Sequence, residues 1–174
     1  MILKGLKRNA IKKSIDAHLK KRDAESRSIS NLKTLAVLID ASHSINIISL
    51  LKLANELGVS SGALKVMGYK EDQKDIEDDK DTAYYNDKSF GVNGAVKSRS
   101  LQEFINKDYD VLINFYGKDK MELNYVAAAS KAKLKVGFAD VDNRINDLII
   151  GATTDDANLF ISELKKYLKI LQII

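Results

Sequence analysis

Short apolar runs alternate with longer amphipathic segments from Thr34 onward, and this alternation predicts the fold class. Four runs have the length and the branched apolar content of strands that are buried on both faces: TLAVLI (34–39), ALKVMGY (63–69), DVLINFY (110–116) and LKVGFA (134–139). A weaker strand is expected in TAYY (82–85) or SFGV (89–92), and a last one in DLII (147–150).

The segments between these runs have helical spacing and helix-capping residues. We expect helices from about residue 45 to Gly58, from a cap at Ser98 or Ser100 to about Lys107, over 121–132, and after Thr153 or Thr154. Asp155 and Asp156 would then lie in the first turn of the last helix, at the positive end of its dipole. Because strands alternate with helices, the sequence predicts an α/β fold: a single doubly wound, mostly parallel sheet of the Rossmann or flavodoxin type.

The first 33 residues differ from the rest and predict a basic helix followed by a polar linker (22–31). The helix has two displaced apolar faces, Ile2, Leu3, Leu6 and Ala10 on one and Ile11, Ile15, His18 and Leu19 on the other. A membrane-surface helix would keep one stripe, so we expect a helix docked on its own domain or on a partner, with a bend near Ala10. The predicted organisation is an arm over 1–33 and an α/β domain over 34–174.

The composition of the chain indicates the class of protein and its cellular location. Hydrophobic residues make up 45% and charged residues 30% of the 174 residues, as in ordinary globular proteins. The chain has no cysteine, no apolar run long enough for a membrane span and no secretory signal, so a cytoplasmic location is the simplest expectation.

Charge is distributed unevenly along the chain. Residues 1–33 carry ten Lys or Arg against three acids, whereas the whole chain has a net charge of only +4. The segment 71–81 has seven acids and two lysines, which is typical of a mobile surface loop.

The basic arm is a candidate interaction surface for nucleic acid, a ribonucleoprotein or an acidic protein. Its candidate partner-binding residues are Lys4, Lys7, Arg8, Lys12, Lys13, Lys20, Lys21 and Arg22. It contains no aromatic residue for base stacking, so nucleic-acid binding would be directed to the phosphate backbone. The alternative is a solvated lysine face with no partner.

Polar residues that follow the predicted strands form a second candidate site. In parallel sheets ligands bind outside the carboxyl ends of the strands. The candidate catalytic residues at this edge are Asp40, His43, Asp140 and Arg144, and the candidate cleft residues are Ser42, Asn114, Tyr116 and Asp142. His43 could act as a base that Asp40 or Asp140 orients. Alternatively, Asp40 and Ser42 only cap the following helix.

No motif in the sequence assigns a cofactor. The turn after the first strand, DASHSIN, has no glycine, and neither a dinucleotide fingerprint nor a Walker A loop occurs. Asp40, Asp140 and Asp142 could offer oxygen ligands to a hard cation, but ADVDNRIND lacks the spacing of a calcium loop and is explained by turn formation. We therefore predict neither a metal nor a cofactor.

Several segments resemble known families. MILKGLKRNAIKKSI, YDVLINFY, SKAKLKVGFADVD and RINDLII together resemble an uncharacterised, single-domain Rossmann-like family (a domain of unknown function) of Bacteroidota-type bacteria, over nearly the whole chain. The resemblance implies a lineage and a cytoplasmic setting.

YDVLINF followed by AKLKVGF is more faintly similar to the N-terminal half of heptosyltransferase-like glycosyltransferases. That similarity implies an architecture, because those enzymes hold their sugar nucleotide in a second Rossmann-like domain, for which this chain has no room.

Two functional hypotheses follow. The first is an uncharacterised α/β binding or accessory protein that docks through its basic N-terminal helix on an acidic partner. The second is a small enzyme or small-molecule binder, glycosyltransferase-like or specific for a phosphate-containing ligand, that uses the cleft at the carboxyl ends of the strands. The lack of a catalytic motif favours binding over catalysis.

Overall fold

The computed structural model describes residues 2–25, 27–42, 47–71, 77–80 and 82–174, and in these ranges strands and helices alternate as the sequence predicts. The strands are β1 (Leu35–Asp40), β2 (Leu64–Tyr69), β3 (Thr82–Tyr85), β4 (Val111–Phe115), β5 (Leu134–Phe138) and β6 (Leu148–Ile150). The helices are α1 (Ile2–Asp23), α2 (Ile47–Glu56), α3 (Arg99–Asn106), α4 (Met121–Ala129) and α5 (Ala157–Ile170).

The strands form one sheet in which every neighbouring pair is parallel, in the order β3-β2-β1-β4-β5-β6. This is the strand order of a Rossmann fold. The first strand, β1, lies in the middle of the sheet. The chain then moves outward through β2 to β3 and returns to the other side of β1, where it forms β4, β5 and β6. The predicted α/β Rossmann-like arrangement is confirmed.

Helices cover both faces of the sheet, so each central strand is buried on two sides. α1, α3 and α4 pack on the face that carries Leu38 and Leu112, whereas α2 and α5 pack on the face that carries Val37 and Ile113. Alternate residues of β1 therefore enter different cores, which explains why its sequence is apolar throughout rather than alternating.

The capping predictions are confirmed at α3 and wrong at α5. The Ser98 hydroxyl accepts a hydrogen bond from the Leu101 amide at 3.4 Å and begins α3. At α5 the cap is Asp156, which accepts from the Leu159 amide at 3.0 Å, and not Thr153 or Thr154. Asp156 competes successfully because a carboxylate caps as well as a hydroxyl does and also favours the helix dipole.

TAYY, not SFGV, supplies the weak strand. Residues 82–85 form β3 alongside β2, whereas Phe90 makes only an isolated bridge with Val96. The acidic loop predicted over 71–81 lies largely outside the described residues; Glu77–Lys80 within it are exposed.

Helix α1 is docked on the domain by one apolar stripe. It runs from Ile2 to Asp23 without the interruption expected near Ala10. Ile11, Ile15 and Leu19 are buried in the core that α4 shares, whereas Leu6 at its amino end stays exposed. The predicted face with Ile11, Ile15 and Leu19 therefore packs on the domain, whereas the predicted face with Leu6 does not.

Arg22, one of the predicted partner-binding residues, makes its contacts within the domain. It lies three residues after Leu19 on the inner stripe and is only 7% exposed. Its guanidinium donates to the carbonyl of Ala132 at 2.8 Å and forms an ion pair with Asp147. Arg22 therefore fastens the end of α1 to the segments before β5 and β6, and the polar linker begins after it.

Lys135 is a fully buried lysine on the same face of the sheet. Its side-chain nitrogen donates to the carbonyl of Ala128 at 2.9 Å, in the last turn of α4, where helix carbonyls lack a partner within the helix. Burial, with a further contribution from the charge of Arg22, lowers the pKa of Lys135 to about 6. The amine is therefore mostly neutral at neutral pH.

Among the helices that the structure describes, none combines the length and the apolar composition needed to cross a membrane.

We predict that Lys135→Met makes the protein more stable at neutral pH and flattens its stability profile. The unfolded chain binds a proton on Lys135 up to a pKa of about 10.4, whereas the folded protein releases it at about 6. In this window the unfolded state holds more protons, so the free energy of unfolding of the native protein rises with pH. Urea denaturation at intervals across this range checks the prediction.

Lys65→Met is the matched control, because Lys65 occupies the second position of β2 as Lys135 does in β5, but is exposed. This control should keep the native pH profile. Parallel profiles for Lys135→Met and the native protein would contradict a neutral, buried amine.

Candidate functional site

The carboxyl ends of β1 and β4 lie side by side at the point where the strand order reverses. β1 ends at Asp40, and β4 is followed by the segment 116–120 that leads into α4. Crevices at such reversal points are where open α/β sheets bind ligands. The chemistry of this edge therefore decides what the fold can bind.

Lys120 occupies this point and joins three loops. Its ammonium nitrogen lies 2.9 Å from a carboxylate oxygen of Asp40 and 2.8 Å from one of Glu71, and it donates to the Ser42 hydroxyl at 3.5 Å. The side chains of Lys120 and Asp40 are only 18% and 10% exposed. One cation thus ties together the loops that follow β1, β2 and β4.

The ion pair keeps both of its buried partners charged. Burial by itself would lower the pKa of Lys120, but the hydrogen bonds to Glu71 and Asp40 outweigh burial and raise it. Burial would raise the pKa of Asp40, but hydrogen bonds from Lys120 and Ser42 outweigh it in turn and lower it. Asp40 is therefore a charged anchor for Lys120, and it also accepts a hydrogen bond from the Ser42 amide at 3.1 Å.

The predicted catalytic pairs stay predictions. His43 lies outside the described residues, so neither its pairing with Asp40 nor its pairing with Asp140 is visible. Asp140 is exposed in the turn after β5.

Arg144, a candidate catalytic residue, forms ion pairs at the surface. Its guanidinium lies 2.6 Å from Asp142 and 3.0 Å from Asp16 of α1, and its side chain is 62% exposed. The hydrogen bonds to Asp142 and Asp16 raise the pKa of Arg144. The loop after β5 is thereby linked to the middle of α1.

Tyr116 was predicted to line a cleft, but it is buried in the interior. Its hydroxyl donates to the Asn124 side-chain oxygen at 3.0 Å. The Asn124 amide donates in turn to Asp119 at 2.8 Å, and the same carboxylate oxygen accepts from the Asp142 backbone amide at 2.9 Å. This network orders the loops after β4 and β5.

Asn114 is also interior, with no exposed surface. Its amide donates to the side-chain oxygen of Asn146 at 2.7 Å. Gly137 pairs with Asn114 in the sheet, and a side chain at Gly137 would lie 2.3 Å from the Asn146 amide nitrogen. The buried pair therefore needs a glycine beside it, and Asn114 does not reach the sheet edge.

The first turns of α1 and the carboxyl end of β2 enclose a cleft of about 400 Å³. We call it the α1 cleft. It is lined by Leu3, Lys4, Lys7, Arg8, Ile11, Tyr69, Glu71, Asp87, Val92 and Glu122. Glu71 also belongs to the Lys120 cluster, so the cleft adjoins the reversal point.

The two walls of the α1 cleft carry opposite charges. Lys4, Lys7 and Arg8 come from α1, whereas Glu71, Asp87 and Glu122 come from the opposite side. The basic residues of the arm are therefore divided, because these three line a cleft while Lys12, Lys13 and Lys20 are exposed further along the helix.

Asp87 organises the acidic wall. The Tyr69 hydroxyl donates to its carboxylate at 2.7 Å, and the Lys7 ammonium donates to its backbone carbonyl. Burial, with the hydrogen bond to Asp87, raises the pKa of Tyr69, so its hydroxyl keeps its proton. Burial and the negative charge of Asp87 also raise the pKa of Glu122, although Arg8 opposes this shift.

Asp87 and Glu122 were missed at the sequence level. A signal for the cleft was nevertheless present, because Lys4 and Arg8 precede Ile11 at the spacing that continues the inner stripe of α1. Among the described residues, no group of three or more His, Asp or Glu side chains is arranged to hold a metal ion.

We predict that Lys120→Met lowers the free energy of unfolding by about 1–3 kcal/mol, because it leaves the nearly buried Asp40 carboxylate without its cation. The loss should shrink at acidic pH, since the pKa of Asp40 is depressed in the native protein and the pair contributes only while Asp40 is ionised. Chemical denaturation of Lys120→Met and of the exposed control Lys118→Met checks this. Equal stability of the two variants would contradict it.

No curated protein and no solved structure matches this chain. The faint similarity to heptosyltransferase-like enzymes and the Bacteroidota lineage stay predictions. A family model does match, over residues 7–171, and these residues contain all six strands and most of α1. The chain belongs to this family, the family of unknown function DUF6913.

Proposed function

We propose that the protein is a Rossmann-like binding protein that holds a small anionic molecule, such as a phosphate ester, in the α1 cleft. The observation that carries the proposal is that α1 directs Lys4, Lys7 and Arg8 into a cleft at the carboxyl edge of a parallel sheet. This edge is where the fold class binds its ligands.

The basic wall and the size of the cleft favour a small anion with additional polar groups. A guanidinium such as that of Arg8 can bind a phosphate or carboxylate through two parallel hydrogen bonds, and Lys4 adds a point charge. The carboxylates of the opposite wall can accept hydrogen bonds from hydroxyl or amine groups of the same molecule. A volume of about 400 Å³ suits a monosaccharide phosphate or a mononucleotide.

Binding is favoured over catalysis. The Tyr69 hydroxyl is engaged by Asp87 and keeps its proton, which argues against Tyr69 as a nucleophile or base. The Lys120 ammonium is held by two carboxylates and stays charged, which argues against Lys120 as a nucleophile.

We predict that phosphorylated small molecules raise the melting temperature, whereas their neutral counterparts do not. The panel pairs glucose 6-phosphate with glucose, ribose 5-phosphate with ribose, and AMP with adenosine. Arg8→Gln should weaken binding at least about tenfold, the order of one charge-assisted hydrogen bond. Thermal-shift assays followed by calorimetry measure both effects.

Lys20→Gln is the matched control, since Lys20 is an exposed cation of the same helix, beyond the cleft. It should bind like the native protein. Two outcomes would contradict the binding of these phosphate esters. Either the phosphorylated and the neutral compounds raise the melting temperature equally, or no compound of the panel raises it.

The alternative function, docking on an acidic partner such as RNA, a ribonucleoprotein or a protein, is favoured by the outer surface of α1. Ile2, Leu3 and Leu6 are 82%, 65% and 53% exposed near the start of the helix. Lys12, Lys13 and Lys20 are exposed, and none of them forms an ion pair with another residue that the structure describes. Apolar groups bordered by free cations suit a partner with a negatively charged surface.

A retardation assay with single-stranded RNA tests this alternative. Changing Lys12, Lys13 and Lys20 together to Gln should weaken binding and reduce the slope of log affinity against log salt by about 2, from the loss of three phosphate contacts. Substitution is preferable to deletion of the helix, because deletion would expose the core residues under α1.

Arg8→Gln is the control in this experiment, since Arg8 lines the cleft. Unchanged RNA affinity in the triple variant would exclude the lysine surface as the site of RNA binding.

A further inference from the structure

We propose that the anionic ligand of the α1 cleft also carries an ammonium group, and that Glu122 selects this group. The inference rests on the anion binding proposed above and narrows the ligand to one class, small phosphorylated amines. Amino sugar phosphates are the members of this class whose size suits the cleft. Arg8 holds the phosphate, and Glu122 determines which phosphate ester is preferred.

The α1 cleft has as many negative as positive side chains. Three cations of α1 line one wall, and three carboxylates line the other. Among the residues that the structure describes, no ion pair joins the two walls. The two sets of charges therefore do not neutralise each other by direct contact. A molecule with both a negative and a positive group matches such a cleft better than a molecule with negative groups alone, because each wall attracts the opposite charge.

The three carboxylates differ in what they already bind. Asp87 accepts a hydrogen bond from the Tyr69 hydroxyl at 2.7 Å, and Glu71 forms an ion pair with Lys120 at 2.8 Å. In the described part of the chain, Glu122 forms no ion pair. Glu122 is therefore the carboxylate that is best placed to accept a cation from a ligand, and the charge of the nearby wall adds to its attraction.

The surroundings of Glu122 favour an ammonium group over a hydroxyl group. Glu122 is half-buried in the first turn of α4, and its backbone carbonyl, not its side chain, accepts a hydrogen bond from the Tyr85 hydroxyl at 3.2 Å. A partly buried carboxylate has lost part of its hydration, so its charge needs compensation. A hydroxyl group offers it one hydrogen bond, whereas an ammonium group offers a hydrogen bond and the opposite charge.

The cations of α1 leave the phosphate to Lys4 and Arg8. The Lys7 ammonium donates to the backbone carbonyl of Asp87 and lies 6.0 Å from the centre of the Phe90 ring, so it is held across the cleft by neutral groups. Lys4 and Arg8 are exposed and form no ion pair with another described residue. The phosphate thus binds at the wall opposite to the one that receives the ammonium group.

Calorimetry at neutral pH with three matched ligands tests the proposal. Glucosamine 6-phosphate carries both charges, glucose 6-phosphate lacks the amine, and N-acetylglucosamine 6-phosphate keeps the nitrogen without its charge. We expect glucosamine 6-phosphate to bind at least about tenfold more tightly than the other two, the order of one additional close charge pair. Phosphoethanolamine and ethyl phosphate repeat the comparison on a scaffold without a sugar.

Glu122→Gln should abolish the preference for the amine and leave the affinity for glucose 6-phosphate unchanged or higher, because the amide keeps the shape of the side chain and loses its charge. Glu103→Gln is the matched control, since Glu103 is exposed on α3 and pairs only with Arg99 among the described residues. It should keep the native preference. Arg8→Gln should weaken all the phosphates by a similar factor, because it acts on the group that they share.

The outcomes separate this inference from the proposed function. Equal affinities of the amines and their amine-free counterparts in both series would overturn the selection of an ammonium group and leave anion binding standing. A native preference in Glu122→Gln, or an equal loss of affinity for every ligand, would overturn the role of Glu122. Failure of every phosphate to bind would overturn anion binding itself, and the selectivity with it.

Discussion

The burial of Ile11, Ile15 and Leu19 under α4 fixes the position of α1, and much of the surface chemistry of the protein depends on that contact. A helix is rigid over this length, so the orientation of its buried half sets the orientation of its free half. Lys4 and Arg8 continue the buried stripe toward the amino terminus, where the helix extends past the apolar core and over the sheet edge. Three apolar contacts thus determine which cations face the cleft and which face solvent.

Helix α4 connects the cleft to the buried lysine Lys135. Its first turn carries Glu122 into the cleft, and its last turn is bound by the buried Lys135. The same helix supplies most of the surface on which α1 packs. The cleft is consequently built from two helices that hold each other in place, with Tyr69 of β2 and the adjacent Glu71 on one side.

The sequence allowed the layers of the fold to be predicted, because burial on two faces leaves a clear trace. Runs such as DVLINFY are too short for helices and too apolar for exposed strands, so they could only be central strands. The Ser98 cap was visible for a similar reason, since its chemistry is local. The sequence pattern places Asp156 inside the first turn of α5, whereas it is the cap, because Thr and Asp both cap well and local chemistry does not choose between them.

The site was less predictable, because it depends on contacts between distant segments. Tyr116 and Asn114 follow the rule that polar residues gather at strand ends, yet both find partners in the interior, Asn124 and Asn146. The sequence of the basic arm does not distinguish Arg22 from the other cations. Only the packing of α1 shows that Arg22, three residues after Leu19, lies on the buried side of the helix. Asp87 and Glu122 have no local signature at all, since only the docking of α1 makes them part of a cleft.

The fastening of α1 also bears on the order in which the chain can fold. Arg22 closes contacts with Ala132 and Asp147, which lie 110 and 125 residues further along the chain. The helix is synthesised before α4 and β6, and its inner stripe has no surface to cover until α4 and the segment before β6 exist. The apolar residues of this stripe therefore stay exposed to solvent until those segments have been synthesised. Closing a loop over such a distance is also slow compared with local helix formation. Helix α1, although synthesised before the elements it contacts, is therefore expected to dock late in folding.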